Sequence, residues 1–133
     1  MGTAGAEQRH QYDFAIGTSP APLGALRGWL RDLLTAENNA LVIDVELVVT
    51  ELVTNAYEHT DRPLAIRICW PAGEEVLRVE VDDGHPTVLP HSGKSTRGGF
   101  RGRGLMMIEG ICRGWGVDSH PGHKTVWADI PLR

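Results

Sequence analysis

The segment from Leu41 to His59 contains no glycine and no proline, although the 133-residue chain has 16 glycines and 8 prolines. Both residue types interrupt helices, so their absence predicts one long, unbroken helix. At about 100° per residue, its apolar side chains gather on one side: Val42, Val45, Val49, Leu52, Val53 and Ala56. A helix with such a face must bury it against a second layer. Alternating runs further along the chain indicate that this layer is a sheet.

Polar residues occupy a second side of the same helix, roughly a quarter to a third of a turn away: Asp44, Glu51, Asn55, Glu58 and His59. Glu51 and Asn55 are neighbours on the helix surface, because residues four apart lie one above the other, and His59 follows one turn later. Such residues commonly form the solvated face of an amphipathic helix. A carboxylate next to a carboxamide also offers hard oxygen ligands to a divalent cation, so both interpretations stay open at this point.

Shorter periodic segments surround the long helix. Alternation at Tyr12, Phe14 and Ile16 predicts a first strand, and leucines at helical spacing predict an amphipathic helix over residues 20–35. Four further strands are predicted at 64–70, 76–81, 114–120 and 124–130, and one short helix is predicted at 105–112. This order is typical of the α+β class, in the form of a two-layer sandwich with one mixed or antiparallel sheet and helices on one face.

Length and charge restrict the classes of function. A chain of 133 residues has the size of one domain, so we expect residues 1–10 to be a mobile arm and residues 11–133 to form a single domain. The net charge of −4 and the pI near 5.8 disfavour nucleic-acid binding through a basic face. Cys69 and Cys112 lack metal-binding or redox spacing, and no apolar run is long enough to span a membrane. We therefore expect a cytoplasmic protein without direct nucleic-acid or membrane contacts.

The glycine-rich segment 84–104 has almost no periodic apolar signal, which predicts a functional loop or lid. It ends in Arg101, Gly102, Arg103, Gly104 and Leu105, at the start of the short helix. Backbone N–H groups and guanidinium groups at such a position suit an anion. The segment does not match a P-loop or a dinucleotide-binding fingerprint, and the acidic composition disfavours an RNA-binding Arg-Gly tail.

One acidic residue at a strand end is a further candidate. Alternation puts Asp83 on the inner side with Val79 and Val81, and Asp82 on the outer side. An inward carboxylate needs a hydrogen-bond donor, although an Asp-Gly pair also simply starts turns. The hydroxyl of Thr125, on the last strand, is expected to reach the same pocket as Asp83. Ordinary strand propensity also accounts for a threonine there.

Taken together, these segments resemble the histidine-kinase-like (GHKL, Bergerat-fold) ATPases. The segment Glu51–Ala56 with His59 looks like their N box, and Asp83 looks like the acidic residue of their first glycine box. The segment Gly102–Leu105 looks like the second glycine box, and Lys124–Trp127 looks like the terminal Gly-Thr box. The resemblance covers about residues 12–132 in the right order. A chain this short, without phosphoacceptor helices, is most similar to anti-sigma-factor serine/threonine kinases.

The resemblance implies ATP and Mg²⁺ as cofactors. Asn55 would ligate Mg²⁺, Glu51 would act as general base on the attacking hydroxyl, and Asp83 would accept a hydrogen bond from adenine. Further nucleotide-binding positions are implied at His59, at Thr125 in support of Asp83, at the backbone of Gly102, Gly104 and Leu105, and at the side chains of Arg103 and Arg101. The implied partners are a sigma factor and an anti-sigma-factor antagonist that carries the phosphoacceptor Ser or Thr, and the implied assembly is a homodimer.

The sequence departs from the family pattern at two boxes. Gly84-His85-Pro86 follows Asp83, so the second glycine of the first box is absent, and His123 replaces the glycine before Lys124. The leading hypothesis is an ATP-dependent serine/threonine kinase that sequesters a sigma factor. The alternatives are an ATP-binding regulatory module without transfer activity, a detached sensor-kinase domain that phosphorylates histidine, and a structural domain that binds no nucleotide.

Overall fold

The computed structural model describes residues 10–17, 22–59, 63–84 and 106–132. Within these ranges the strands are β1 (His10–Ala15), β2 (Pro63–Trp70), β3 (Val76–Asp83), β4 (Gly114–His120) and β5 (His123–Pro131). The helices are α1 (Leu23–Leu33), α2 (Asn39–His59) and a short α3 over residues 106–111. Residues 1–9 of the predicted arm and the predicted lid beyond Gly84 lie outside the described residues, whereas His10 already belongs to β1.

The five strands form one sheet in the order β1-β2-β3-β5-β4, and every neighbouring pair is antiparallel. Helix α2 packs on β2, β3 and β5, and α1 packs on α2. The predicted α+β sandwich is therefore confirmed, with an antiparallel rather than a mixed sheet. None of the helices in the described ranges is both long and apolar enough to cross a membrane.

The core lies between α2 and one face of the sheet. Cross-strand partners point to the same side, so Ile68, Val79 and Ala128 form one row of the inner face. Seven apolar residues of α2 are buried: Leu41, Val45, Val48, Val49, Leu52, Val53 and Ala56. The apolar face expected from the sequence is confirmed, except that Val42 is only partly buried and Val48 takes part fully.

Specific hydrogen bonds fix both ends of α2. The helix begins two residues earlier than expected, because the side-chain oxygen of Asn38 accepts a hydrogen bond from the Leu41 N–H at 2.8 Å and caps the first turn. Near the other end, the Tyr57 hydroxyl donates to the Ile16 carbonyl at 2.7 Å. It also lies 3.0 Å from the carbonyl of Gly17, whose φ of +57° suits glycine. The capping bond and the tyrosine therefore hold α2 over the sheet.

Ion pairs cover the outer face of the sheet. The Arg67 guanidinium donates to both oxygens of Asp82, at 2.6 and 2.8 Å, and to Glu80 at 2.7 Å. On the same face, Arg78 donates to both oxygens of Asp129 at 2.6 and 2.9 Å. Paired, two-point contacts of this kind are the stronger class of charged interaction. Cross-strand charge pairs thus stabilise the face that α2 does not cover.

A tryptophan ring joins β5 to β4 on this outer face. The Arg78 guanidinium lies 4.7 Å from the ring centre of Trp127, within cation–π range. Gly116 is the cross-strand partner of Trp127. A Cβ atom added at Gly116 would come within 2.8 Å of the ring, so the ring packs directly on the glycine backbone. Only a residue without a side chain allows this contact.

Candidate functional site

Asn55, in the second half of α2, is a buried polar side chain with an unsatisfied atom. It is 7% exposed, and its Nδ2 has no hydrogen-bond partner among the described residues. A buried donor without a partner costs roughly 1–3 kcal/mol. The amide carries an acceptor as well as two donors, and rotation of the group exchanges their positions. Asn55 is therefore able to contact either a cation or an anion in this layer.

Glu51 lies one turn before Asn55 and is half-buried. Burial raises the pKa of its carboxyl group, and the negative charge of Glu58 raises the pKa further. A carboxylate with a raised pKa is a better proton acceptor for a reacting hydroxyl. Glu51 also borders a surface cavity of about 210 Å³ between α1 and α2, which gives its carboxylate a side open to another molecule.

Asp83 ends β3 on the inner face of the sheet, as predicted. Its side chain shares this face with Val79 and Val81 and is buried. Asn55 is buried on α2, the helix that packs on β3. Two buried polar side chains, Asn55 on the helix and Asp83 on the sheet, therefore belong to elements that pack against each other.

Lys124 is a residue of this site that sequence reasoning missed. It is the cross-strand partner of Asp83, and its Nζ donates to Asp83 Oδ2 at 2.7 Å. The two side chains are only 1% and 3% exposed. The signal was present in the sequence, because Lys124 is in phase with Val126 and Ala128 on the buried side of β5. A lysine at a buried position requires an acidic partner.

Thr125 lies on the opposite face from Asp83, so the expectation that the two share a pocket is wrong. Its cross-strand partner is Asp82, and its hydroxyl donates to Asp82 Oδ1 at 2.6 Å. The physical reason is strand alternation, since Lys124 takes the inner position next to Asp83. Burial opposes ionisation of Asp82, but hydrogen bonds from Arg67 and Thr125 outweigh it and lower the pKa of the carboxyl group. Asp82 is therefore a paired structural residue rather than a solvated one.

The remaining predicted site residues cannot be located in the same way. His59 is the last residue of α2, and its side chain lies outside the described part of the structure. Arg101, Gly102, Arg103, Gly104 and Leu105 precede α3 and lie outside the described residues altogether. The described site thus consists of Glu51 and Asn55 on the helix and the Asp83–Lys124 pair on the sheet.

Comparison with known proteins agrees with this architecture. The family model of the histidine kinase-like ATPase domain matches residues 17–130. Among solved structures, the RsbU and RsbW domains of Rv1364c from Mycobacterium tuberculosis are similar, with a TM-score of 0.62 at 18% identity. The match covers 93% of this chain and 33% of that chain, and at this identity it bears on the fold alone. No curated protein matches the chain. Since the family model spans most of its length, the chain belongs to the histidine kinase-like ATPase domain family.

Proposed function

We propose that the protein is a Mg²⁺- and ATP-dependent serine/threonine protein kinase that acts as an anti-sigma factor. It phosphorylates a small antagonist protein and, when the antagonist is phosphorylated, sequesters a sigma factor. Family membership supports the use of ATP. The observation that carries the proposal is on α2, where the unsatisfied amide of buried Asn55 lies one turn from Glu51, whose pKa is raised. The resemblance further suggests a cytoplasmic homodimer.

The described residues suit a magnesium–nucleotide complex rather than an ion bound by protein alone. No group of three or more His, Cys, Asp or Glu side chains able to hold a metal occurs in the described ranges. Mg²⁺ typically takes one or two protein ligands and completes its shell with phosphate oxygens and water. The amide oxygen of Asn55 suits one such position. When bound, Mg-ATP supplies the phosphoryl group and the neutralising cation.

Glu51 serves as the general base in this proposal. Its carboxylate accepts the proton of the acceptor hydroxyl, and its raised pKa makes that transfer easier. The acceptor segment approaches through the cavity between α1 and α2, where Glu51 is one of the lining residues. Ile43 and Leu47 line the same cavity and are 56% and 41% exposed. They give an apolar side chain next to the acceptor residue a surface to contact.

The nucleotide is held at two further points. Asp83 accepts a hydrogen bond from the exocyclic amine of adenine at the inner end of β3. The backbone of Gly102, Gly104 and Leu105 would hold the phosphates, Arg103 and Arg101 would counter their charge, and His59, the last residue of α2, would add a further contact. Phosphoryl transfer depends mainly on positioning and charge neutralisation, and these groups supply both.

The test is transfer of label from radioactive Mg-ATP to candidate antagonist proteins. The chain is expected to label a serine or threonine of one candidate, and Glu51→Gln is expected to lower the rate about 100-fold or more without loss of ATP binding. Asp44→Asn, two turns earlier on the same helix, is the matched control and should transfer at the original rate. Equal rates for Glu51→Gln and the unmodified chain would remove Glu51 as the base. ATP binding without label on any candidate would favour a regulatory module that binds ATP but does not transfer phosphate.

A further inference from the structure

Tyr12 and Trp70 form an aromatic corner at the edge of the sheet. Their ring centres lie 6.1 Å apart, and the ring planes are at 88° to each other. Both residues lie on the inner face, because Tyr12 is the cross-strand partner of the buried Ile68 and Trp70 follows two residues later on β2. Together with Leu33 and Glu37 they line a surface cavity of about 360 Å³. This cavity therefore has two aromatic walls and one carboxylate.

Helix α1 leaves the aromatic corner uncovered. Two residues along β1, Phe14 packs against Trp29 of α1, and the ring centres are 5.3 Å apart. The helix then ends at Leu33, and Tyr12 is 41% exposed. A single exposed tyrosine is ordinary. Two aromatic rings that share the wall of one cavity are instead the arrangement with which proteins bind organic cations.

Glu37 supplies a charge that favours a cation in this cavity. Its backbone N–H donates to the Leu34 carbonyl at 3.0 Å, which fixes the turn after α1. Among the described residues, no basic side chain forms an ion pair with its carboxylate. The faces of aromatic rings carry partial negative charge, and Glu37 adds a full one. A cationic group is therefore favoured here over a neutral group or an anion.

Strand β1 lies at the edge of the sheet, and its outer side has no partner strand in the described ranges. Its six residues pair with β2 in regular antiparallel register. Such an edge presents unpaired N–H and C=O groups, which pair readily with an extended segment of another chain. Alternate side chains of that segment would lie on the inner face. The Cβ atom of the residue opposite Tyr12 would be about 4.5–5.5 Å from the Tyr12 Cβ atom.

We propose that the cavity binds the lysine or arginine side chain of a partner polypeptide that pairs as an additional strand with the edge of β1. Main-chain hydrogen bonds supply affinity, and the cation between Tyr12, Trp70 and Glu37 supplies specificity. A second copy joined through β1 does not fit, because β1 contains no lysine or arginine. Trp70 lies at the end of β2 opposite Pro63, the cross-strand partner of Asp83. The docking surface is therefore separate from the proposed nucleotide site.

The first experiment is an NMR titration of the full, isotope-labelled chain with two extended peptides. One is Thr-Val-Thr-Arg-Thr-Val-Thr with blocked ends, and the other carries citrulline, the neutral isostere of arginine, at the centre. The arginine peptide is expected to bind about tenfold more tightly and to shift the amide signals of β1 and the indole signal of Trp70. Equal affinities, signal changes confined to other parts of the chain, or no change at millimolar peptide would each overturn the proposal.

Two further measurements distinguish other occupants of the cavity. N-acetylarginine amide is expected to bind at least about tenfold more weakly than the arginine peptide, because it cannot pair along β1. If it binds as tightly as the peptide, the cavity takes a small cation and the pairing with β1 is overturned. Signals of β1 that change with protein concentration in the absence of peptide would assign the edge to a second copy, which would also overturn the proposal.

Substitutions test the walls of the cavity. Glu37→Gln keeps the size of the side chain and removes the charge, so it should weaken binding of the arginine peptide about three- to fivefold and leave the citrulline peptide unaffected. Asp32→Asn removes a charge from an exposed position of α1 that does not line the cavity, and should change neither affinity. Tyr12→Leu removes one aromatic wall and should reduce the preference for arginine about threefold. A full preference for arginine in both Glu37→Gln and Tyr12→Leu would overturn the proposal.

Discussion

At the scale of single residues, the proposed chemistry depends on two side chains of α2 whose environments differ. Asn55 is almost fully enclosed and keeps an unsatisfied amide nitrogen. Glu51 is half-buried, and desolvation raises the pKa of its carboxyl group more than any neighbouring charge does. The enclosed amide suits a fixed contact to a ligand, whereas a half-buried carboxylate suits proton transfer with a group that arrives from solvent.

In the proposed mechanism, the pH dependence of phosphoryl transfer follows from the environment of Glu51. The carboxylate accepts a proton only when it is ionised, so the rate rises with pH through the raised pKa of Glu51. The charge of Glu58 contributes to that raised value. Glu58→Gln is therefore expected to lower the pKa of Glu51 and to move the acid limb of the rate profile to lower pH. Rates measured from pH 4 to pH 8 check this, and a limb that moves to higher pH, or that persists in Glu51→Gln, would contradict it.

At the scale of elements, periodicity predicted the long helix, the five strands and the inward side of Asp83. Alternation along β5 predicts the face of Lys124 as well as that of Thr125. The hydroxyl of Thr125 suggested a contact with Asp83, but the adjacent residue Lys124 makes that contact. Adjacent residues of a strand point to opposite faces. A motif can therefore match the right segment of the sequence while the contact is assigned to the wrong one of two neighbouring residues. The partner of Asp83 depends on the register between β3 and β5, which no local pattern contains.

The contact between β4 and β5 makes a prediction at this scale. In Gly116→Ala the new Cβ would lie within 2.8 Å of the Trp127 ring, so the ring or the strand must move, at a cost of about 1–3 kcal/mol in unfolding free energy. Gly28→Ala is the matched control, because nothing lies within 4 Å of a Cβ added there in α1, and alanine in a helix gains about 0.5–1 kcal/mol. Urea unfolding of both variants measures the two effects. A Gly116→Ala variant as stable as the parent would show that the ring does not fix this strand pair.

At the scale of the whole molecule, the two faces of the sheet differ in the kinds of side chain they carry. On the outer face, Arg67 and Arg78 pair with acidic residues across strands. The inner face holds the aliphatic core and, where β3 ends, the buried pair Asp83 and Lys124. A fold of this kind gives up some stability at its functional end. In the proposed function, a ligand that satisfies the Asn55 amide restores part of this stability.

Asn55→Leu tests this exchange of stability for binding. Leucine replaces the unsatisfied amide by an apolar group of similar size, so the unfolding free energy without nucleotide is expected to rise by about 1 kcal/mol. Mg-ATP at a hundred times its Kd should stabilise the unmodified chain by about 2.7 kcal/mol, and this increment should disappear in Asn55→Leu. Gly28→Ala, which also raises stability, should keep the full increment because it lies in α1, away from the site. Thermal unfolding with and without Mg-ATP measures the stability of the unmodified chain and of both variants. A variant that loses stability without nucleotide, or keeps the increment, would mean that the buried amide serves the fold rather than the ligand.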